Sequence, residues 1–193
     1  MRLWLMVITL LLTLPAMAGQ FMQPDNLYPR VQLETSEGNI VLELDRSRAP
    51  LTVNNFLSYV KANAYNNTVF HRLITDFVVQ GGGYDMQMKE IEQRKTIFNE
   101  SGNGLKNQRG SIAMARLSDP HSASSQFYIN LADNDSLNPG SRWGYAVFGQ
   151  VVGGFEVLDK INMLQTETSE KTGWPDVPVE PLLLKTVRLL PTE

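Results

Sequence analysis

Two apolar runs decide the predicted fold: Val69-Phe70-His71-Arg72-Leu73-Ile74 and Phe77-Val78-Val79-Gln80-Gly81-Gly82-Gly83. A third run, Ser125-Gln126-Phe127-Tyr128, follows far downstream. Within these runs, one arginine and two glutamines stand among large apolar residues, and no acid, thiol or cluster of metal ligands accompanies them. Such a set predicts a pocket that binds an uncharged apolar group and stabilises it through hydrogen bonds alone.

Arg72 allows two interpretations. In a continuous strand, Phe70 and Arg72 would share one face, and His71 would point to the other. Taken alone, Arg72 is a strand arginine with a buried stem and a charged head in water. However, Gln80 and Gln126 are two further polar side chains inside apolar runs, and buried polar groups need partners. In the second interpretation, the two glutamines therefore hold the guanidinium rigid.

The composition excludes several kinds of chemistry. A length of 193 residues favours one domain, and a net charge of −3 without a long Lys/Arg block argues against a nucleic-acid partner. The absence of cysteine excludes disulfides and thiol catalysis. Two histidines, His71 and His121, are too few for a zinc site built from several histidines. We expect no metal and no cofactor.

Residues 1–18 have the composition of a secretory signal peptide. Arg2 gives a basic start, Leu3 to Leu14 is apolar, and Ala16-Met17-Ala18 supplies small residues before a cleavage site. We expect cleavage after Ala18 and a periplasmic location, with secretion as the second choice. An uncleaved anchor is the alternative, but the apolar run is shorter than the ~20 residues of a spanning helix. Residues 19–30 form a lead-in to the domain.

Hydrophobic patterns predict many short strands and two helices. The first helix begins at Ala49-Pro50, and its apolar face is formed by Val53, Phe56, Leu57 and Val60. The second helix extends from Gly154 to about Leu164, and its apolar face is formed by Phe155, Leu158 and Ile161. Strand-like runs lie within Val31–Leu44 and at Val69–Ile74, Phe77–Gln80, Ser111–Ala115, Gln126–Leu131, Ala146–Val152 and Leu182–Leu190. Residues 84–110 are predicted to form a long surface loop. Two helices placed far apart favour an antiparallel barrel over alternating βαβ units.

Other motifs do not support a competing chemistry. Gly81-Gly82-Gly83 lacks the Lys-Ser/Thr of a phosphate-binding loop, so we interpret it as a bend where the backbone passes close to a neighbour. The Asp133–Gly140 run has Leu137 at a calcium-ligand position and no closing glutamate. A hydrolase built around His71 or His121 would lack the Gly-x-Ser-x-Gly nucleophile motif.

Several separated motifs together resemble one family. Their order and spacing resemble those of the motifs in the cyclophilin-type peptidyl-prolyl cis-trans isomerases. The motifs are Phe70-His71-Arg72, Phe77-x-x-Gln80-Gly81-Gly82, Ser111-Ile112-Ala113-Met114-Ala115, Ser125-Gln126-Phe127-Tyr128 and Tyr145-Ala146-Val147-Phe148-Gly149. The Asn103–Gly110 run and the signal-like start are similar to the bacterial periplasmic branch. The resemblance implies a mainly β isomerase domain over residues 31–190, with a closed eight-stranded antiparallel barrel capped by two α-helices.

The resemblance also implies a site and a reaction. Arg72 and Gln80 are the expected catalytic residues, with Gln80 orienting the arginine; the expected substrate-binding residues are Phe77, Val78, Met114, Ala115, Gln126, Tyr128, Leu137 and Tyr145. We expect faster rotation about X-Pro bonds during the folding of exported proteins, by a monomer that binds proline-containing unfolded or partly folded polypeptides. No nucleic acid and no stable membrane insertion are expected. The alternative is a cyclophilin-like chaperone that holds such segments with little turnover.

This chain departs from the family pattern at one turn and at several positions of the expected groove. Thr75-Asp76 replaces a usual Pro-Gly turn, and Val78 stands where methionine is common. Tyr128 replaces a phenylalanine, so its hydroxyl needs a partner. Tyr145 stands where many eukaryotic members have histidine, and Ser136 replaces an aromatic residue. Because of Ser136, we expect weak binding of the inhibitor cyclosporin.

Overall fold

Residues 22–192 are described by the computed structural model and form twelve strands, two α-helices and one 3₁₀ turn. The strands are β1 (Arg30–Thr35), β2 (Asn39–Leu44), β3 (Thr68–Val69), β4 (Arg72–Ile74), β5 (Val78–Gly81), β6 (Tyr84–Asp85), β7 (Ser111–Met114), β8 (Phe127–Asn130), β9 (Val147–Gly153), β10 (Thr166–Glu167), β11 (Val177–Pro178) and β12 (Leu183–Leu189). The helices are α1 (Pro50–Lys61) and α2 (Phe155–Asn162), and the 3₁₀ turn is Asp135–Leu137. The expected signal peptide lies outside the described residues. Within them, no helix is long and apolar enough to cross a membrane.

The main sheet has ten antiparallel strands in the order β4-β5-β8-β7-β9-β2-β1-β12-β3-β6, and β10 pairs with β11 separately. A mainly β fold with two helices is confirmed, but the closed eight-stranded barrel is wrong, because the sheet is a curled half-barrel with β4 and β6 at its edges. The reason that the sheet does not close is found in the short connection between β3 and β4. These strands lie near opposite edges of the sheet, yet only Phe70 and His71 separate them in sequence. The covalent chain, and not a hydrogen-bonded ladder, therefore connects the two ends of the curl.

The predicted strand Val69–Ile74 is consequently broken in two. Phe70 donates its backbone N–H to the Leu182 carbonyl at 2.9 Å and buries its ring in the core, and His71 is also buried. Side-chain alternation restarts after this break, so Leu73 faces the core and Arg72 faces outward. The prediction that Phe70 and Arg72 share a face is therefore wrong.

The main core lies between the inner face of the sheet and the two helices. As predicted, α1 buries Val53, Phe56, Leu57 and Val60. The Phe56 ring contacts the Phe127 ring at a centroid distance of 5.5 Å and the Phe148 ring at 5.4 Å. Aromatic burial of this kind dominates the energetics of a core without disulfides.

Helix α2 packs differently from the prediction. It buries Val157, Leu158 and Ile161, whereas Phe155 is exposed and lies 5.5 Å from the guanidinium of Arg109. The residue before the helix, Gly154, is its N-cap, and its backbone is in the left-handed region at φ +86°. A Cβ at Gly154 would lie 2.2 Å from the Asn39 carbonyl oxygen, so the close approach of α2 to β2 requires glycine.

Two charged side chains fix segments that lack regular structure. Arg46 is buried and donates Nη2–H to the Met22 carbonyl at 2.8 Å, which anchors the described part of the lead-in. Glu100, within the predicted surface loop, accepts hydrogen bonds from the Thr52 backbone N–H at 2.8 Å and the Thr52 hydroxyl at 2.7 Å. Because the first N–H groups of a helix lack internal partners, Glu100 caps α1 and holds this loop on the domain.

Candidate active site

A second apolar cluster lies on the face of the sheet opposite the main core, and we call it the groove floor. Its buried members are Val78, Ala113, Tyr128 and Val147, and its partly buried members are Phe77, Leu105, Ala115, Leu137 and Tyr145. Central strands β5, β7 and β8 can supply both clusters because one face of each packs inward and the other outward. The groove floor is therefore a surface that an apolar ligand group could cover.

Strand register places the polar and apolar parts of this surface in one row. Arg72 is paired with Gln80, Gln80 with Tyr128, Tyr128 with Ala113, and Ala113 with Val147. Neighbouring strands lie about 4.8 Å apart, and directly paired residues project to the same face. An arginine at the sheet edge is thus followed, strand by strand, by a glutamine, an aromatic ring and two small apolar residues.

Met114 does not belong to the groove floor. It is buried in the main core together with Ile112, whereas Ala113 and Ala115 face the groove. The prediction that Met114 contacts the substrate is therefore wrong, because strand alternation turns it inward. The neighbouring Ala113, which the prediction omitted, takes its place in the floor.

The buried hydroxyl of Tyr128 has the partner that the sequence required. It donates a hydrogen bond to Asn107 Oδ1 at 2.7 Å, and Asn130 Nδ2 donates to the same oxygen at 3.2 Å. The Asn107 backbone N–H in turn donates to Asn138 Oδ1 at 2.8 Å. Burial raises the pKa of Tyr128, and Tyr145 adds to this effect, so the phenol stays protonated and remains a donor.

Leu137 and Tyr145 form one wall of the groove. Leu137 ends the 3₁₀ turn and accepts a hydrogen bond from the Tyr145 backbone N–H at 3.0 Å. The Tyr145 ring stands edge-on to Tyr128, with centroids 5.8 Å apart, and the Arg116 guanidinium lies 4.6 Å above the Tyr145 ring. The wall is therefore fixed by backbone hydrogen bonding and by a cation–π contact.

Gln80 and Gln126 form a hydrogen-bonded pair beside the row. Gln80 Nε2 donates to Gln126 Oε1 at 2.9 Å, and this is its only side-chain hydrogen bond to another residue of the described chain. A Cβ at Gly83 would lie 2.7 Å from the Gln126 amide, so the glycine run allows the chain to pass directly beneath that side chain. This agrees with the interpretation of the run as a close backbone approach.

Arg72 is held differently from the expectation. Gln80 stands opposite it in register, but no hydrogen bond joins the two side chains; instead, Arg72 Nε lies 3.5 Å from Asp176 Oδ2. Neither terminal nitrogen of Arg72 has a hydrogen-bond partner within residues 22–192. The guanidinium is therefore paired on one side and has two nitrogens available to a ligand.

Neither histidine is arranged as a general base for hydrolysis. His71 is buried against Tyr84 and Trp174, and burial, together with the neighbouring Arg72, lowers its pKa to about 4. His71 Nδ1 has no hydrogen-bond partner in the described chain. His121 Nδ1 accepts the Asn99 backbone N–H at 3.2 Å. A catalytic triad needs a nucleophile bonded to the base, and neither ring makes such a bond to any residue between 22 and 192.

The surroundings of the groove are polar but contain no candidate metal centre. Within residues 22–192, no group of three or more His, Asp or Glu side chains lies close enough to hold a metal ion. A cavity of about 300 Å³ adjoins the row and shares Gln80 with it, and Ala115 and Gln126 also line this cavity. The site therefore extends beyond the apolar floor as a polar channel that could receive backbone.

Comparison with known proteins identifies the family. Residues 30–183 match the family model described as cyclophilin-type peptidyl-prolyl cis-trans isomerase/CLD. The chain belongs to the cyclophilin family. Cyclophilin relatives include peptidyl-prolyl cis-trans isomerase cyp18 of Streptomyces antibioticus, 48% identical over 83% of this chain and 98% of that protein. Peptidyl-prolyl cis-trans isomerase B of Escherichia coli is 46% identical over 81% of this chain and 97% of that protein.

Solved cyclophilin structures agree with this assignment. A cyclophilin-type isomerase of Cryptosporidium parvum superposes with a TM-score of 0.71 at 25% identity, covering 86% of this chain and 99% of that one. The same protein has been crystallised in the presence of the dipeptide Ala-Pro, and that structure has a TM-score of 0.70. The predicted enzyme class is confirmed, and this cyclophilin is a peptidyl-prolyl cis-trans isomerase.

Besides Ala113, three residues of this cyclophilin's groove were not predicted as site residues. Leu105 and Val147 belong to the apolar floor, and Asn107 supports Tyr128. Val147 could have been found from strand alternation, since Tyr145 was already placed in the groove. Leu105 and Asn107 lie in a segment without regular structure, where no periodicity indicates which side chains turn inward.

Proposed function

We propose that Arg72 accelerates X-Pro rotation by donating a hydrogen bond to the prolyl nitrogen in the twisted transition state. The planar amide is stabilised by delocalisation of the nitrogen lone pair, and rotation costs ~18–20 kcal/mol. When the bond is twisted, the lone pair is localised and can accept a hydrogen bond. A donor at this position stabilises the transition state more than the planar ground state, and this difference lowers the barrier.

The row of paired residues is the observation that carries this proposal. It places Arg72 at one end of a floor that contains Tyr128 and Ala113, with Val78 from β5 and the preceding Phe77 beside them. A proline ring is apolar, so it would cover the floor, and Leu137 and Tyr145 would bound it. The terminal nitrogens of Arg72 then supply the donor, because neither is occupied within the described chain.

The neighbouring amides have a binding role in this proposal. Gln126 and Gln80 are paired at 2.9 Å next to the cavity of about 300 Å³. Ala115 donates its backbone N–H to the Gln126 carbonyl at 3.0 Å, which fixes the two strands at this point. We assign Gln126 to the peptide backbone of the substrate, and Gln80 to holding the Gln126 side chain. This differs from the expectation that Gln80 orients Arg72 directly.

The decisive experiment compares Arg72→Ala and Arg72→Lys with Arg188→Ala in a protease-coupled assay on an X-Pro peptide. Arg188 is a matched control because it pairs with Glu34 on the exposed side of β12. Loss of one preorganised donor typically lowers turnover by about a hundredfold or more, so we expect this from Arg72→Ala, with Arg188→Ala unchanged. Lysine keeps the charge but not the fork of donors, so Arg72→Lys is expected to remain well below wild type. Near-normal turnover in folded Arg72→Ala would refute the proposed role.

We also propose that the substrates are exported proteins in the periplasm. The composition of residues 1–18 supports this location. The test is cell fractionation, followed by N-terminal sequencing of the purified protein. Export predicts recovery in the periplasmic fraction with Gly19 as the first residue. Recovery of the intact chain in the cytoplasm would contradict this location without affecting the isomerase activity.

A holding function is the second candidate, and an exposed apolar rim favours it. Phe98, Leu117 and Trp143 have 69%, 76% and 52% of their surfaces exposed, respectively. The His121 ring lies between Phe98 and Trp143, at centroid distances of 5.2 and 5.1 Å. Leu117 also lines the cavity beside the groove. If holding dominates, replacement of these three residues by serine would abolish suppression of aggregation of an unfolded protein, while Arg72→Ala would not affect it.

A further inference from the structure

We propose that Asp176 is a positioning residue that holds the Arg72 guanidinium in place for the reaction. This inference rests on the proposed role of Arg72. Among the residues that the structure describes, Asp176 is the only acidic side chain that pairs with Arg72. The contact is made at Nε, so the carboxylate restrains the stem of the fork and leaves both terminal nitrogens available.

The backbone holds Asp176 firmly beside β4. The Leu73 backbone N–H donates to the Asp176 carbonyl at 2.8 Å, which uses the otherwise unpaired edge of the strand that carries Arg72. The next two residues form β11, which pairs with β10. Asp176 itself has φ +61°, a left-handed conformation that aspartate and asparagine adopt more readily than most residues.

An aromatic cluster fixes the same segment from the other side. The Trp174 ring lies 4.8 Å from the Tyr84 ring and 6.2 Å from the His71 ring, while Tyr84 and His71 are 4.9 Å apart. His71 directly precedes Arg72, and Trp174 lies two residues before Asp176. The contacts among these three rings therefore hold together the two backbone segments that carry Arg72 and Asp176.

Without Asp176, the restraint on Arg72 would be weak. The Arg72 side chain is 39% exposed, and the Gln80 amide is engaged with Gln126 and makes no hydrogen bond to it. A long exposed side chain samples many rotamers, and only a few would place a donor at the prolyl nitrogen. An ion pair between such exposed partners contributes little to global stability, so its loss is expected to appear in turnover and not in unfolding.

The test uses Asp176→Asn, because asparagine preserves the shape and tolerates the left-handed backbone while removing the charge. We expect kcat to fall about five- to tenfold, with KM within about twofold of wild type and an unchanged unfolding midpoint. The matched control is Asp159→Asn, which alters the ion pair between Asp159 on α2 and Arg109 and is expected to leave both constants unchanged. A change in kcat below twofold for Asp176→Asn would overturn the inference.

A double-mutant cycle separates positioning from a structural effect. If Asp176 acts through Arg72, Asp176→Asn has no further effect on the residual turnover of Arg72→Ala. An equal loss in both backgrounds would show that Asp176 acts independently of Arg72 and would refute positioning. Near-normal turnover of Arg72→Ala would instead refute the proposed function itself, and the two failures are therefore distinguishable.

Discussion

Replacement of Asn107 by leucine is expected to destabilise this cyclophilin because it leaves a buried hydroxyl without a partner. Asn107 is nearly inaccessible and its Oδ1 accepts the Tyr128 hydroxyl at 2.7 Å. Leucine has a similar size but cannot accept a hydrogen bond. Asn130 Nδ2 keeps its bond to Ser111 Oγ at 2.8 Å, so the Tyr128 hydroxyl is the main group left unsatisfied.

The magnitude follows from the accounting of these groups. A buried polar group without a partner costs about 1–3 kcal/mol, so we expect Asn107→Leu to lower the free energy of unfolding by about 2–3 kcal/mol. Tyr128→Phe removes the donor but leaves Asn107 Oδ1 bonded to Asn130, so its cost should be only about 0.5–1.5 kcal/mol. The double variant has no orphaned hydroxyl and should be more stable than Asn107→Leu alone by about 1 kcal/mol.

Urea unfolding of the three variants and wild type measures this cycle, with intrinsic fluorescence as the signal. The sign of the coupling is the critical result. If the double variant is less stable than Asn107→Leu, the two residues are not coupled through the buried hydrogen bond, and the assignment of Asn107 as the support of Tyr128 is refuted. Turnover of Tyr128→Phe should stay within about twofold of wild type, since the ring that forms the floor remains.

Three further predictions concern pH, the glycine run and inhibition. The pKa of His71 is about 4 in the folded state and near 6.5 when unfolded, so the unfolded chain binds more protons between these values, and lowering the pH through this window should cost up to about 3 kcal/mol of stability. His71→Phe should therefore reduce the difference between the free energies of unfolding measured in urea at pH 7 and at pH 4.5. An unchanged difference in this variant would contradict the prediction. Gly83→Ala should displace Gln126 and raise KM about fivefold in the peptide assay. The control is Gly102→Ala, which should have no effect because a Cβ there would meet nothing within 4 Å. Equal KM values in the two variants would count against the close approach of the Gly83 backbone to the Gln126 side chain. Cyclosporin should inhibit the enzyme only weakly, and Ser136→Trp should strengthen inhibition at least about tenfold by restoring an apolar contact with the inhibitor. Sub-micromolar inhibition of the unmodified protein would show the expectation of weak inhibition to be wrong.

The main elements of the fold could be predicted because their periodicity was unambiguous. Helix α1 has an apolar stripe and a proline at its first position, and its four predicted core residues are all buried. The positions of the longer strands along the chain followed from apolar runs separated by polar segments, whereas the two-residue strands β6, β10 and β11 were not predicted. Closure of the sheet could not be predicted, because it depends on the break at Phe70 and His71, and two consecutive buried aromatic residues look like part of a continuous strand.

The candidate site was predicted in outline, and the errors have specific physical causes. Met114 was misplaced because all four residues of β7 are buried, one face by the core and the other by the groove floor, so burial does not distinguish the two faces. The polar Ser111 shares the face of Ala113, and alternation from it places Met114 on the core face. Asp176 was missed because it lies about a hundred residues from Arg72 in a proline-containing segment without helical or strand periodicity. Its position depends on tertiary packing of Trp174, which local patterns do not encode.

The edge position of β4 implies that activity and global stability are governed by different parts of this molecule. The strand has only three residues, pairs with β5 on one side, and is covered on the other by the segment that contains Asp176. Edge elements with few hydrogen bonds open locally at a lower free energy than a central sheet. Hydrogen exchange at the Leu73 amide should therefore precede exchange at Val79 and Ile129, and mild denaturant should abolish turnover while the core aromatic residues are still packed.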